Sequence, residues 1–177
     1  MKPAPFEYVA AGSVEEALAA LDHADARVLA GGQSLLPLLN ARLARPARLV
    51  DINGAGLGVI RRRGGTLVLG ATVRQAALER SSLIARHWPL LVQAVRHVGH
   101  VATRSRGTVG GSVAHADPAA QLPAALAALD ARYVIRSAAT KRPISGGAVA
   151  ASSSGGTSPS KVTAPSGATV ATSERRP

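Results

Sequence analysis

The chain has 177 residues, 46% apolar but only 2% aromatic, so one domain or two small lobes can form around a core of Ala, Leu and Val. Cysteine is absent, which excludes disulfides, thiolate zinc sites, cysteine nucleophiles and any iron–sulfur cluster held by this chain alone. The formal charge of +11 suggests nucleic acid or an acidic ligand, yet most basic residues are Arg scattered through apolar patterns, and only Arg61-Arg62-Arg63 form a run.

No apolar run approaches the ~18 residues a membrane span needs. The opening "MKPAPFEYVA" lacks the apolar region of a signal peptide, so a cytoplasmic location is the expectation. "FEYVA" reads as a strand. Ser13 and Glu16 form a capping box, and Val14, Leu18 and Leu21 recur at helical spacing, predicting a helix to about His23. "RVLA" is a strand that ends at Gly31-Gly32, and Ser34 is placed to cap a helix over "LLPLLNARLA". "RLVDI" is a further strand, so residues 1–56 read as a first, small α/β lobe.

"GVIRRRGGTLVLGA" predicts a hairpin turning at Gly64-Gly65, with the arginine run at its solvated tip. Thr72 is placed to cap a helix over "VRQAALER", and "HWPLLVQAVRHV" predicts a longer helix that stops at Gly99. "GHVATRSRGTVGGSVAHADP" reads as irregular, "AAQLPAALAALDA" as helix and "RYVIRS" as strand. Residues 57–137 thus form a second, incomplete α+β lobe. From 138 to 177 there is no leucine, aspartate or aromatic residue, and such a Ser/Thr/Gly/Pro-rich segment is expected to be a disordered tail.

Two glycine-rich turns carry the functional reading. Ala30-Gly31-Gly32-Gln33-Ser34 lies between a strand and a helix start, where exposed amides suit a phosphate and glycine removes the Cβ that would hold it off. Gly107-Thr108-Val109-Gly110-Gly111-Ser112 is expected to add bare amides and a hydroxyl donor, followed by His115 and Asp117. Two such turns in one small chain point to a dinucleotide pyrophosphate between two lobes. Gly54-Ala55-Gly56-Leu57-Gly58 mimics a dinucleotide fingerprint, but strand and turn follow it rather than a helix, so it reads as a linker. His97 and His100 lack a third ligand, and a helix end explains them better than a metal. Ser34 and Ser112 lack the surroundings of a nucleophile elbow, which argues against hydrolase chemistry.

With "AGGQSLLPLL" near residue 30 and "RGTVGGSVAHADPAAQLPAAL" near residue 110, the chain resembles the FAD-binding medium subunit of molybdenum hydroxylases. Carbon monoxide dehydrogenase medium subunits are the nearest type, and xanthine dehydrogenase FAD subunits are related. The resemblance covers residues 3–137 and implies an α+β, two-lobed FAD-binding fold of the molybdopterin dehydrogenase (PCMH-type) kind. It implies that Ala30, Gly31, Gly32, Gln33, Ser34 and Leu35 wrap the FAD pyrophosphate. Thr108, Gly110, Gly111 and Ser112 would add amide and hydroxyl contacts, with His115 and Asp117 nearer the ribityl chain and flavin. It also implies an oxidoreductase subunit with no catalytic side chain or metal of its own. A large partner subunit would carry the molybdenum cofactor, a small one two [2Fe–2S] clusters, and FAD would pass electrons to an external acceptor.

The sequence departs from the family pattern in places. Ala102-Thr103-Arg104-Ser105 stands where the family usually has "QVRN", and Gln121 stands where an acidic residue is common. Family members also continue into a longer second lobe and a C-terminal lobe, whereas the match here stops near Ser137. A frameshifted or decayed gene would account for that break; reading the coding DNA in other frames tests it. Two other readings stay open on the residues: a non-catalytic remnant that only docks on partner subunits, and a basic nucleic-acid-binding module. The absence of aromatic platforms weighs against the latter.

Overall fold

"RLVD" packs two apolar residues side by side, and a strand can bury both only if its two faces are covered. In a computed structural model that describes residues 2–137, 140–146 and 173–174, this is the central strand of the first sheet. β1 (Glu7–Ala10), β2 (Ala26–Leu29) and β3 (Arg48–Asp51) run parallel in the order β1-β3-β2. Leu49 and Val50 of β3 are both fully buried. Helix α1 (Val14–Ala20) joins β1 to β2 and supplies Ala17 to a small core with Leu21, Ala26, Val50 and Ile52. Ser13 Oγ accepts from the Glu16 amide at 3.1 Å, and Glu16 Oε2 accepts from Gly12 N at 2.7 Å, one residue further out than the usual reciprocal box. Helix α2 (Leu35–Asn40) joins β2 to β3 and is shorter than its sequence pattern predicts. Ser34 holds the cap position, but its side chain makes no capping bond.

The segment from Gly54 to Gly58 links β3 to a strand, as expected. β4 (Ile60–Arg63) and β5 (Thr66–Leu69) form an antiparallel hairpin, with Gly64 in the left-handed region at φ +56°. The three arginines lie along β4 rather than in the turn, all exposed. β6 (Arg132–Ser137), β7 (Thr140–Gly146) and β8 (Ser173–Glu174) complete a second sheet ordered β4-β5-β8-β6-β7. The expectation of a disordered tail from 138 onward is corrected at Thr140–Gly146 and Ser173–Glu174, whose backbones join this sheet. A strand can recruit a polar segment because the ladder bonds join main-chain groups, which every composition carries. The remainder of that expectation lies outside the described residues.

Helices α3 (Gln75–Arg80), α4 (Ser82–His87), α5 (Pro89–Arg96), α6 (Val101–Arg106), α7 (Val109–His115) and α8 (Gln121–Ala128) accompany this sheet. Leu67, Leu69, Leu78, Ile84, Trp88, Leu91, Val95, Leu122 and Leu126 form the larger core. Three expectations need correction here. Thr72 caps nothing and is buried, because Arg74 stays extended, its backbone bridged to Thr108, and delays the helix to Gln75. The helix expected over "HWPLLVQAVRHV" is only α5, and His87 belongs to α4 instead; the chain breaks at Trp88 (φ −137°, ψ 57°), since Pro89 disfavours helical geometry in the residue before it. The stretch read as irregular is two short helices, α6 and α7, meeting at Gly107. Arg104 explains their placement. It is buried, donates to Glu79 Oε2 at 2.9 Å and also holds the carbonyls of Val98 and Gly99, tying α6 to α3 and to the end of α5. Gly99, at φ +42°, ends the preceding turn as expected.

Candidate functional site

A cleft of about 710 Å³ opens where the Gly31 segment faces α7, a volume typical of small-molecule sites, roughly 300–1,000 Å³. All twelve residues that the family resemblance assigns to FAD line it: Ala30 to Leu35 on one side; Thr108, Gly110, Gly111, Ser112, His115 and Asp117 on the other. The two glycine segments nevertheless use their backbones differently.

In the first segment the backbone amides of Gly31, Gly32, Gln33, Ser34 and Leu35 donate no hydrogen bond among the described residues. Gly32 adopts φ +72°, which a side chain would strain. Gly31 has a different reason: a Cβ there would lie 2.5 Å from the Arg106 carbonyl oxygen, so its bare Cα lets another part of the same chain approach. Helix α2 has only six residues, so the free donors, more than a helix dipole, make this edge attractive to an anion.

The second segment is the start of a helix, and the expectation of bare amides there is corrected. Val109 N donates to Val73 O and Gly110 N to Ala71 O, both at 2.9 Å, and Ser112 N donates to Thr108 O at 3.1 Å. Gly111 N donates to Thr108 Oγ1 at 3.1 Å, which makes Thr108 the helix cap. Gly110 is required by packing, since a Cβ would lie 2.7 Å from Ala71 Cβ. What this edge offers the cleft is side chains. The Ser112 hydroxyl makes no bond among the described residues, and His115 and Asp117 are exposed. Asp117 Oδ1 also accepts from Ala119 N at 2.9 Å, shaping the turn into α8. Between His115 and Asp117, Ala116 takes a left-handed conformation, φ 53°, and no bond joins the two side chains.

Sequence reasoning missed Gln75. It lies on the floor of the cleft, 5% exposed, and its Oε1 is buried with no partner. The signal was a polar residue three before Leu78 on the buried side of a short amphipathic helix. It also missed Asn53 and Arg74, which join the walls. Asn53 Nδ2 donates to Ala30 O at 2.9 Å, Arg74 Nη2 to Asn53 Oδ1 at 2.8 Å, and Arg74 Nη1 to the Arg106 carbonyl. Behind them Asp51 accepts from Tyr8 Oη at 2.7 Å and from Asn53. Burial alone would raise the Asp51 carboxyl; the hydrogen bonds from Tyr8 and Asn53, with the Arg74 charge, outweigh it and hold it below its ordinary value. The same bond, together with some desolvation and the Asp51 charge, raises the Tyr8 phenol. His97 ends α5 and His100 precedes α6, and no cluster of metal-ligating residues exists among the described residues. Among the described residues no helix is long and apolar enough to cross a membrane.

Two α+β lobes, an anion-ready loop on one wall and an orphaned acceptor on the floor define a module that binds a phosphorylated organic cofactor. The chain belongs to the family described as the FAD binding domain in molybdopterin dehydrogenase, whose pattern matches residues 4–148. It is 49% identical over 147 residues to the 6-hydroxypseudooxynicotine dehydrogenase complex subunit alpha of Paenarthrobacter nicotinovorans, covering 81% of this chain and 50% of that one. It is 41% identical over 138 residues to the carbon monoxide dehydrogenase medium chain of Hydrogenophaga pseudoflava, covering 76% of this chain and 48% of the relative. Among solved structures, quinoline 2-oxidoreductase from Pseudomonas putida 86 superposes with a TM-score of 0.83 at 36% identity, over 98% of this chain and 60% of that one. The chain thus spans about half the length of the curated relatives it matches.

The residues present fit FAD. Its pyrophosphate needs donors, and the free amides from Gly31 to Leu35 supply them. Its sugar hydroxyls and ring N–H groups need acceptors, and Gln75 Oε1 is an acceptor in want of a donor.

Proposed function

We propose that this chain holds FAD in the cleft and serves as the flavin-bearing electron-transfer unit of a molybdenum hydroxylase. The observation that carries the reading is the row of unpartnered amides from Gly31 to Leu35 facing an orphaned buried acceptor at Gln75. The amides of Gly31 to Leu35 hold the pyrophosphate. Gln75 Oε1 and the Ser112 hydroxyl take sugar or ring groups, and His115 and Asp117 stand at the exposed end of the wall. Thr108, Gly110 and Gly111 act from behind, by fixing where α7 begins.

The bound flavin would supply the redox chemistry, accepting electrons singly or in pairs. The chain itself binds it, orients it and limits the water that reaches it. Relatives named as a complex subunit and as a medium chain support a partner arrangement here. In it, one partner carries the molybdenum cofactor, another carries [2Fe–2S] clusters, and an external acceptor takes the electrons. The substrate would be oxidised on the partner.

Incubation with FAD followed by desalting tests the reading. Visible flavin absorption near one equivalent is the expected result, and it falls when pyrophosphate is added as competitor. A folded, colourless chain would overturn the proposal.

A further inference from the structure

Arg74 is tied to both walls of the cleft at once. Its backbone bridges Thr108, and the neighbouring bonds Gln75 N to Gly107 O and Val109 N to Val73 O, both 2.9 Å, fasten that stretch to the second glycine segment. Its side chain points the other way. One guanidinium nitrogen holds the Arg106 carbonyl and the other, at 2.8 Å, holds Asn53 Oδ1. Asn53 in turn grips Ala30 O, the residue that opens the first glycine segment. The Arg106 carbonyl is also the atom against which Gly31 packs. The two carbonyls beside the Gly31 contact are therefore gripped by two side chains that are bonded to each other. Asp51 fixes Asn53 from behind through bonds of 2.8 Å to its amide and 2.6 Å to its side chain, and Tyr8 fixes Asp51.

We propose that Arg74 and Asn53 are a positioning pair: an interlobe brace that sets the separation between the row of amides at Gly31–Leu35 and α7. For its ligand the inference rests on the FAD reading above; the brace itself is a property of the chain alone. Each bond is exposed and individually modest, so the effect is expected on the distance between walls more than on folding. A planar guanidinium can serve two acceptors in fixed directions, which an ammonium cannot.

The chain has no cysteine, so a pair introduced at exposed Ala19 and Ala85, one per lobe, can carry spin labels without background. Electron–electron distance measurements on the flavin-free chain are expected to give a narrow distribution in the parent and a broader one in Arg74→Gln and in Asn53→Ala. The double variant should be no broader than either single, because both residues are links of one chain of bonds. Arg74→Lys should recover only part of the narrowing. In the same variants FAD dissociation is expected to quicken about tenfold. Distributions that superpose on the parent in both single variants would overturn the brace. If Arg74→Gln fails to fold, Asn53→Ala, an exposed linker position, decides alone. Failure of the parent to bind FAD would remove the function proposed above, while the flavin-free distances would still decide the brace.

Discussion

The two glycine segments look alike in sequence, Gly31-Gly32 followed by Gln-Ser and Gly110-Gly111 followed by Ser-Val, yet they do opposite work. In the first, glycine leaves amides free and lets the Arg106 carbonyl come close. In the second, the amides are consumed by Ala71, Val73 and Thr108, and glycine admits Ala71 to the helix surface. The difference teaches that a glycine pair marks a place where backbone must be approached, and leaves open what approaches it. Under the proposed function a ligand meets the first; the core of the second lobe meets the second.

Substitutions can break this contrast. Gly110→Ala drives a Cβ into Ala71 backbone atoms at 2.9 Å, so it should lower stability by about 1–3 kcal/mol, read as a drop in the urea midpoint. Gly31→Ala should behave differently. Its Cβ pushes on one carbonyl at the cleft edge, and a displacement worth about 1.4 kcal/mol would weaken FAD binding about tenfold while the larger core stays intact. If both variants lost the same stability and the same affinity, the division of labour would be wrong.

Thr108→Val keeps the buried shape but removes the acceptor for Gly111 N, and should destabilise the chain by about 1 kcal/mol, again in urea. A null result would mean that Gly111 N finds another partner. The smallest effect sits behind the first segment. Asp51 is held below its ordinary value of 3.8, so its contribution is present above that value and fades as pH falls through the depressed one. Tyr8→Phe removes one of the bonds that depress it, so Asp51 should titrate at higher pH, followed by carboxyl NMR shifts, and acid loss should begin earlier. The stability change at neutral pH should stay below about 1 kcal/mol, as exposed pairs do. An unchanged Asp51 titration would show that Asn53 and Arg74 alone set it.

Much of the first lobe was legible because its signals are local. Ser13 and Glu16 announce a helix start, and "RLVDI" reads as a strand. The twelve residues expected at the site do share one cleft, since the strand-to-turn junctions that carry them are also local. Gln75, Asn53 and Arg74 were not legible. Asn53 and Arg74 gain their meaning from partners distant in sequence and Gln75 from an acceptor that the fold leaves without a donor, and nothing in "VRQAAL" says that Arg74 reaches across to Asn53. Thr72 misled for the same reason. Its local pattern promised a cap, but long-range bonds from 107–109 kept that backbone extended.

The sequence by itself determined the element order of the first lobe, the glycine positions, the absence of thiol ligands and the resemblance to a flavin-binding family. The tertiary structure decided which of the glycine amides stay free, which buried acceptor lacks a donor, and how Arg74 and Asn53 join the two walls. The physical reason is that helix periodicity, caps and turns are energies between near neighbours in the chain. Satisfaction of a given backbone amide, by contrast, depends on whatever distant group the fold brings within about 3 Å of it.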